Sequence, residues 1–162
     1  MHSKLLIAGA AAATLLVAAC GSSSSSSASA SPSANPSPSP AAAGATIAVA
    51  TNSRLGQILV DGKGITVYLF VKDSGTSSTC YTSCAQVWPP VLTSGPPQPG
   101  TGVTASLLGT TTRTDGQVEV TYAGHPLYYF VSDKQPGDAT GQGIDNFGGL
   151  WWVLTPSGAA MH

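Results

Sequence analysis

Two runs, Tyr68-Leu69-Phe70-Val71-Lys72-Asp73 and Tyr128-Tyr129-Phe130-Val131-Ser132-Asp133, place a phenol, an aromatic ring and a carboxylate at the same spacing twice. In a strand, residues two apart share a face, so Tyr68 goes with Phe70 and Tyr128 with Phe130, and each aspartate falls where the strand leaves its sheet. Two uses follow from that placement. Either the aromatics are core and Asp73 and Asp133 accept loop amides, or the aspartates face a ligand or cation. Asp133, Asp138 and Asp145 share a glycine-rich loop, but their spacing does not match an EF-hand, and solvated loop carboxylates are the expectation. His125 is the only histidine between His2 and His162, and before Pro126 it belongs in a surface turn. One internal histidine provides no zinc-ligand spacing and no nucleophile-base pair. The sequence therefore points away from an enzyme, with no catalytic residue, metal or cofactor expected.

The two runs belong to a larger duplication. Gly56–Asp73 aligns without a gap on Gly116–Asp133 at an offset of 60, with eight of eighteen positions identical. Trp88-Pro89-Pro90-Val91-Leu92-Thr93 is echoed by Trp151-Trp152-Val153-Leu154-Thr155. Repeat 1 covers about 47–95 and repeat 2 about 110–158. Each copy reads as a hairpin: strands at 57–60 and 65–71 about a turn at 61–64, and strands at 117–122 and 127–131 about a turn at 123–126. Gly64 and Gly124 fit positions that need positive φ. Strands at 47–51 and 151–155 complete an all-β class, expected as one small sandwich or barrel-like domain over 46–158. Long loops and short helical segments at 80–87 and 104–108 are expected with it, and 159–162 as a loose tail. The run 65–71 is apolar on both faces, so both should be covered, one of them by the segments carrying Trp88 and Trp151.

What precedes this domain reads as an address. Leu5–Ala19 is apolar or small throughout and ends at Cys20, too short to span a bilayer comfortably and right for a cleaved export signal. Val17-Ala18-Ala19-Cys20 looks like a lipobox, in which the cysteine sulfur is acylated, with palmitate for example, and becomes the first residue. Two acyl chains hold a chain to a membrane where one would not, at roughly 0.8 kcal/mol per buried methylene. The span 20–45 is then a lipidated cysteine followed by a Ser/Pro/Ala tether too polar to fold. Six basic residues stand against seven acidic ones without a basic stripe, which disfavours nucleic acid as a partner. With Cys20 as anchor, Cys80 and Cys84 remain to pair in an oxidising compartment. If they lie on one helical turn they share a face.

The paired Tyr-x-aromatic-x-x-Asp runs, the Cys80…Cys84-Ala85…Trp88-Pro89-Pro90 segment, Tyr122-Ala123-Gly124-His125-Pro126-Leu127-Tyr128 and Gly148-Gly149-Leu150-Trp151-Trp152 together resemble a family of bacterial lipoproteins built from a secreted repeat of unknown function. The resemblance implies location and architecture and names no reaction. Late in the chain Tyr122, Tyr128, Tyr129, Trp151 and Trp152 crowd together, and an exposed subset of them, with Tyr122, Trp151 and Trp152 as candidates, would stack on sugar rings of a wall polymer or on an envelope protein. The expectation is a lipid-anchored module on the outer face of the membrane that binds without catalysis. An envelope redox or metal-handling role, using Cys80, Cys84 and the loop carboxylates, is the alternative.

Overall fold

The computed structural model describes residues 44–162; the expected signal sequence, Cys20 and nearly all of the tether lie outside the described residues. In chain order the elements are β1 (Thr46–Asn52), β2 (Gly56–Asp61), β3 (Tyr68–Phe70), helix α1 (Ser83–Val87), β4 (Gln98–Pro99), a 3₁₀ turn (Ala105–Leu107), β5 (Leu108–Thr112), β6 (Val118–Tyr122), β7 (His125–Pro126), β8 (Asp145–Asn146) and β9 (Gly149–Val153). They form three sheets of three strands, in the orders β2-β1-β4, β3-β9-β8 and β5-β6-β7. The domain is all-β and duplicated, and among the described residues its sheets do not close into a barrel.

Each repeat has a longer hairpin that lies earlier than the alternation of the sequence suggests; the hairpin expected about 123–126 also forms, with β6 pairing β7 at Thr121↔Pro126 and Tyr122↔His125. In repeat 1, β1 pairs with β2 from Ile47↔Asp61 to Asn52↔Gly56. The Asn52 side-chain oxygen accepts the amides of Arg54 and Leu55 at 2.9 and 3.0 Å, and Gly56 takes a φ of 78° that a side chain would resist. In repeat 2, β5 pairs with β6 from Leu108↔Tyr122 to Thr112↔Val118, with Gly116 at a φ of 82°. The turn expected at 61–64 does form: Asp61 Oδ1 accepts the amides of Lys63 and Ile65, and Gly64 sits at 87°. Its ladder is short, with Val60 and Thr66 bridging before the chain leaves. The following strand has apolar side chains on both faces and is drawn between two layers, where β3 pairs with β9 instead of β2.

That departure makes the repeats exchange strands. The Leu59 amide donates to Leu154 O at 3.0 Å, so the C-terminal segment of repeat 2 extends the sheet of repeat 1. The Val120 amide donates to Val91 O at 2.8 Å and the Thr93 amide to Val118 O at 3.0 Å, so the corresponding segment of repeat 1 extends the sheet of repeat 2. Between them Tyr68 and Tyr128 exchange backbone bonds of 2.8 and 3.0 Å.

Alternation along 67–70 divides the interior. Val67 and Leu69 enter one core with Ile47, Leu59, Val91, Val120, Tyr122, Leu127 and Leu154. Tyr68 and Phe70 enter the other with Trp88, Tyr128, Trp151 and Val153. Val71 departs from the expected coverage: the strand has ended at Phe70, and Val71 is half exposed.

The second core is a column of rings. Phe130 stacks on Trp88 at 4.3 Å between centroids, Trp88 on Trp151 at 4.0 Å, and Trp151 on Phe70 at 4.0 Å. Each tryptophan therefore lies against the phenylalanine of the other repeat. Tyr68 and Tyr128 close the sides edge-on to Trp88 and Trp151, at 5.4 and 5.1 Å. The edge-on contacts suit the ring quadrupole.

The C-terminus is not a loose tail. Leu154 bridges Ala160, the Met161 amide donates to Val153 O at 2.9 Å, and His162 lies edge-on to Trp152. Backbone bonds to a buried strand hold these residues, which composition alone does not foretell.

Candidate functional site

The repeated phenol and carboxylate meet across the repeats, not within them. The Tyr68 hydroxyl donates to Asp133 Oδ2 at 2.5 Å, and the Tyr128 hydroxyl donates to Asp73 Oδ2 at 2.7 Å. Each aspartate uses its other oxygen to close the loop that follows it. Asp73 Oδ1 accepts the amide and hydroxyl of Thr79 at 2.7 and 2.8 Å, and Asp133 Oδ1 accepts the amide and hydroxyl of Thr140 at 2.9 and 2.6 Å. The Tyr68 oxygen also accepts the Gly141 amide at 3.2 Å, whereas the Tyr128 hydroxyl lies 2.7 Å from Ser78 Oγ. The start of β3 fixes Tyr68, isolated bridges to Tyr68 and Pro90 fix Tyr128, and hydrogen-bonded loop turns fix the aspartates.

The electrostatics of this centre favour retention of protons. Burial, with Asp133 and Asp138 adding to it, drives the Tyr68 hydroxyl far above its ordinary range, and burial with Glu119 and Asp73 does the same for Tyr128. Burial raises the Asp73 carboxyl, while the Tyr128 and Thr79 bonds pull it down. Phenols held protonated donate steadily to their aspartates, so these pairs can brace the two loops but are poorly set to move protons.

Beside Asp73 lies an ion pair that the sequence reading missed. Arg113 is 4% exposed and Glu119 is fully buried, and Nη1 of the arginine lies 2.7 Å from Glu119 Oε2. The guanidinium also donates to Ser78 Oγ at 2.8 Å and to Cys80 O at 2.7 Å, and lies 4.4 Å over the Tyr81 ring. Burial pushes the Glu119 carboxyl up to about 7, although Arg113 opposes the shift. Glu119 Oε1 is buried without a hydrogen-bond partner among the described residues. The available signal was a glutamate between two valines in a strand, Val118-Glu119-Val120; a charge at such a position faces a buried partner when both sides of its strand are covered.

Cys80 and Cys84 form a disulfide with Cα atoms 5.2 Å apart. The helical turn expected to carry both does not form: α1 begins at Ser83, and Thr82 before it has a φ of 48°. Cys80 is thus in the preceding loop, where Arg113 holds its carbonyl and the bridge ties it to the helix. Both cysteines are buried.

Two of the three rings expected at the surface lie inside. Tyr122 and Trp151 are fully buried, Tyr122 donating to Pro156 O at 2.7 Å and the Trp151 indole to Asn146 O at 3.2 Å. Strand exchange supplies core volume that one repeat would lack, and it admits both rings. Trp152 is half buried. The loop carboxylates are separate: Asp138 caps the amides of Lys134 and Gln135, and Asp145 is exposed in β8. Among the described residues no group of three or more His, Cys, Asp or Glu gathers to hold a metal ion.

Open grooves line the surface of the described residues. One of about 450 Å³ is lined by Asn52, Arg54, Leu55, Ala139, Thr140 and Gln142. Another, of about 330 Å³ and mainly apolar, lies between the Thr93–Pro97 loop and strands β5 and β6. No curated protein and no solved structure matches this chain. A family model described as a secreted repeat of unknown function matches it twice, over residues 49–92 and 109–155, the two halves that exchange strands. With more than half of its length matched, the chain belongs to that family of secreted repeats.

Proposed function

We propose that this chain is an exported lipoprotein, anchored through Cys20 to the outer face of the membrane, whose folded domain is a binding module without catalytic activity. The observation that carries the reading is the internal use of the reactive side chains. Tyr68, Tyr128, Asp73, Asp133, Arg113 and the disulfide are all engaged inside the domain. Recognition is thereby left to exposed loops, grooves and strand edges. The apolar run ending at Cys20 supports the anchor, and among the described residues no helix is long and apolar enough to cross a membrane. The partner is a wall polymer or an envelope protein.

Cells expressing the chain and fed an alkyne-tagged palmitate test the reading. The wild type takes up label, sediments with membranes and is digested by protease added to cells whose outer surface is accessible. Cys20→Ser loses label and no longer sediments. A wild-type chain that stays unlabelled, or that resists the protease, contradicts the proposal.

A further inference from the structure

The two repeats differ in how their first strand is finished. In repeat 1 the outer edge of β1 is covered by the chain's own residues 98–101, running parallel to it: the Gln98 amide donates to Ala45 O at 2.8 Å, the Gly100 amide to Ile47 O at 2.6 Å, and the Val49 amide to Thr101 O at 2.8 Å. In repeat 2 the corresponding strand, β5, is at the end of its sheet among the described residues. Bonds from Ala123 N–H to Leu107 O and from Arg113 N–H to Gln117 O set the phase of the β5–β6 ladder, in which odd-numbered residues of β5 bond to β6. Leu108 O and the amides and carbonyls of Thr110 and Thr112 therefore point outward. Leu108 and Thr110 share with Ile47 and Val49, the residues that bond to 98–101, only the outward phase: each turns its backbone groups away from its hairpin partner.

Nothing in β5 discourages pairing. Exposed edges are ordinarily blunted by lysine, proline, inward charge or a bulge, and Leu108-Gly109-Thr110-Thr111-Thr112 has none of these. Thr110 and Thr112 are exposed. The mainly apolar groove of about 330 Å³ lies over the face of β5 and β6, with Gly109 and Thr110 of the edge strand on one side and Val118 and the Pro96–Pro97 loop on the other. An added strand would find backbone partners at the edge and an apolar recess for its side chains, the two components of peptide recognition by strand addition.

We infer that the outer edge of β5 is a docking site for an extended, uncharged, proline-bearing peptide segment of another envelope protein, laid parallel to β5 as residues 98–101 are laid on β1. The occupant is specified by the segment that covers β1, Gln98-Pro99-Gly100-Thr101, which is uncharged, extended and preceded by Pro96 and Pro97. Prolines suit such a strand because only alternate residues need to donate. The docked segment donates to Leu108 O and accepts from the Thr110 amide. This inference rests on the reading of the domain as a binding module and adds the class of its partner.

The test uses the full chain in detergent and a labelled peptide with the sequence of residues 95–103, Gly-Pro-Pro-Gln-Pro-Gly-Thr-Gly-Val, followed by fluorescence anisotropy and by hydrogen exchange over 108–112. Binding that protects the Thr110 and Thr112 amides is expected. Thr110→Pro removes the outward donor without touching the β6 ladder, and it should weaken binding at least tenfold while melting near the wild type. If that variant fails to fold, the same peptide with an N-methylated glycine at its sixth position, unable to donate to Leu108 O, gives the equivalent loss with the wild-type chain. Equal binding by variant and wild type, or by methylated and plain peptide, overturns the inference, as does the absence of protection at 108–112. Protection of the same amides without peptide, rising with protein concentration, also overturns it by assigning the edge to a second copy of this chain. Palmitate labelling of the same preparation separates this result from the anchored-module reading, which fails only if the label is absent.

Discussion

At the scale of single residues, the crossed bonds make a quantitative claim. Tyr68→Phe removes a hydroxyl that donates to Asp133 and accepts from Gly141, leaving buried polar groups without partners. Hydrogen bonds to charged groups of this kind contribute about 1.5–3 kcal/mol. Urea denaturation should show a loss of that size for Tyr68→Phe and a comparable one for Tyr128→Phe. Glu119 makes a claim about pH. Its folded value of about 7 lies above its ordinary 4.5, so its contribution is full below about 4.5 and is lost as pH rises through about 7. Stability measured between pH 4.5 and 7.5 should fall with rising pH, and Glu119→Gln should flatten the slope. Burial raises Asp73 as well, so part of the slope stays. The spacing Tyr-x-aromatic-x-x-Asp was legible in the sequence, as was the face shared by tyrosine and phenylalanine. Which tyrosine meets which aspartate was not, because the pairing depends on two strands crossing between repeats, and local periodicity contains no such information.

At the scale of elements, the ring column and the disulfide-bearing loop are the parts that pack the two halves. Trp88 touches Phe130, Trp151 and Tyr68, and Trp88→Ala should cost about 3–5 kcal/mol, as large aromatic truncations do. Gly141 measures the same tightness from outside: a Cβ there would lie 2.8 Å from the Trp88 ring and 2.9 Å from that of Tyr68. Gly141→Ala should destabilise by about 1–3 kcal/mol through overpacking, as read by thermal melting. Replacing both Cys80 and Cys84 with serine should cost about 2 kcal/mol, the entropy of a short loop. The turns at Gly64 and Gly124 could be read in advance, since few residues other than glycine tolerate their φ. The hairpins expected about 61–64 and 123–126 do form, but their ladders are short, and the longer ladders β1–β2 and β5–β6 lie one strand earlier. Residues 65–71 look like a hairpin partner of 57–60 until the competing demand to bury both faces is weighed, and the strand with that demand moved to β9.

At the scale of the molecule, a duplicated sequence has produced one interlocked body. Each half lends its Trp-bearing segment to the other's sheet, and each half's tyrosine is held by the other's aspartate. The repeat period was legible in the sequence; the exchange was not, since a period states that two units are alike and leaves open whether they stack or interlock. Interlocking is the central claim, and separating the halves tests it most directly. Residues 44–103 and 104–162 would be produced apart and together, and followed by near-ultraviolet circular dichroism of their tryptophans. Neither half alone should give a structured aromatic signal or a cooperative melt, and co-refolding under oxidising conditions should restore both. A half that alone keeps a sharp aromatic spectrum and a cooperative melt would contradict the account, because its core would then be complete without the other's rings.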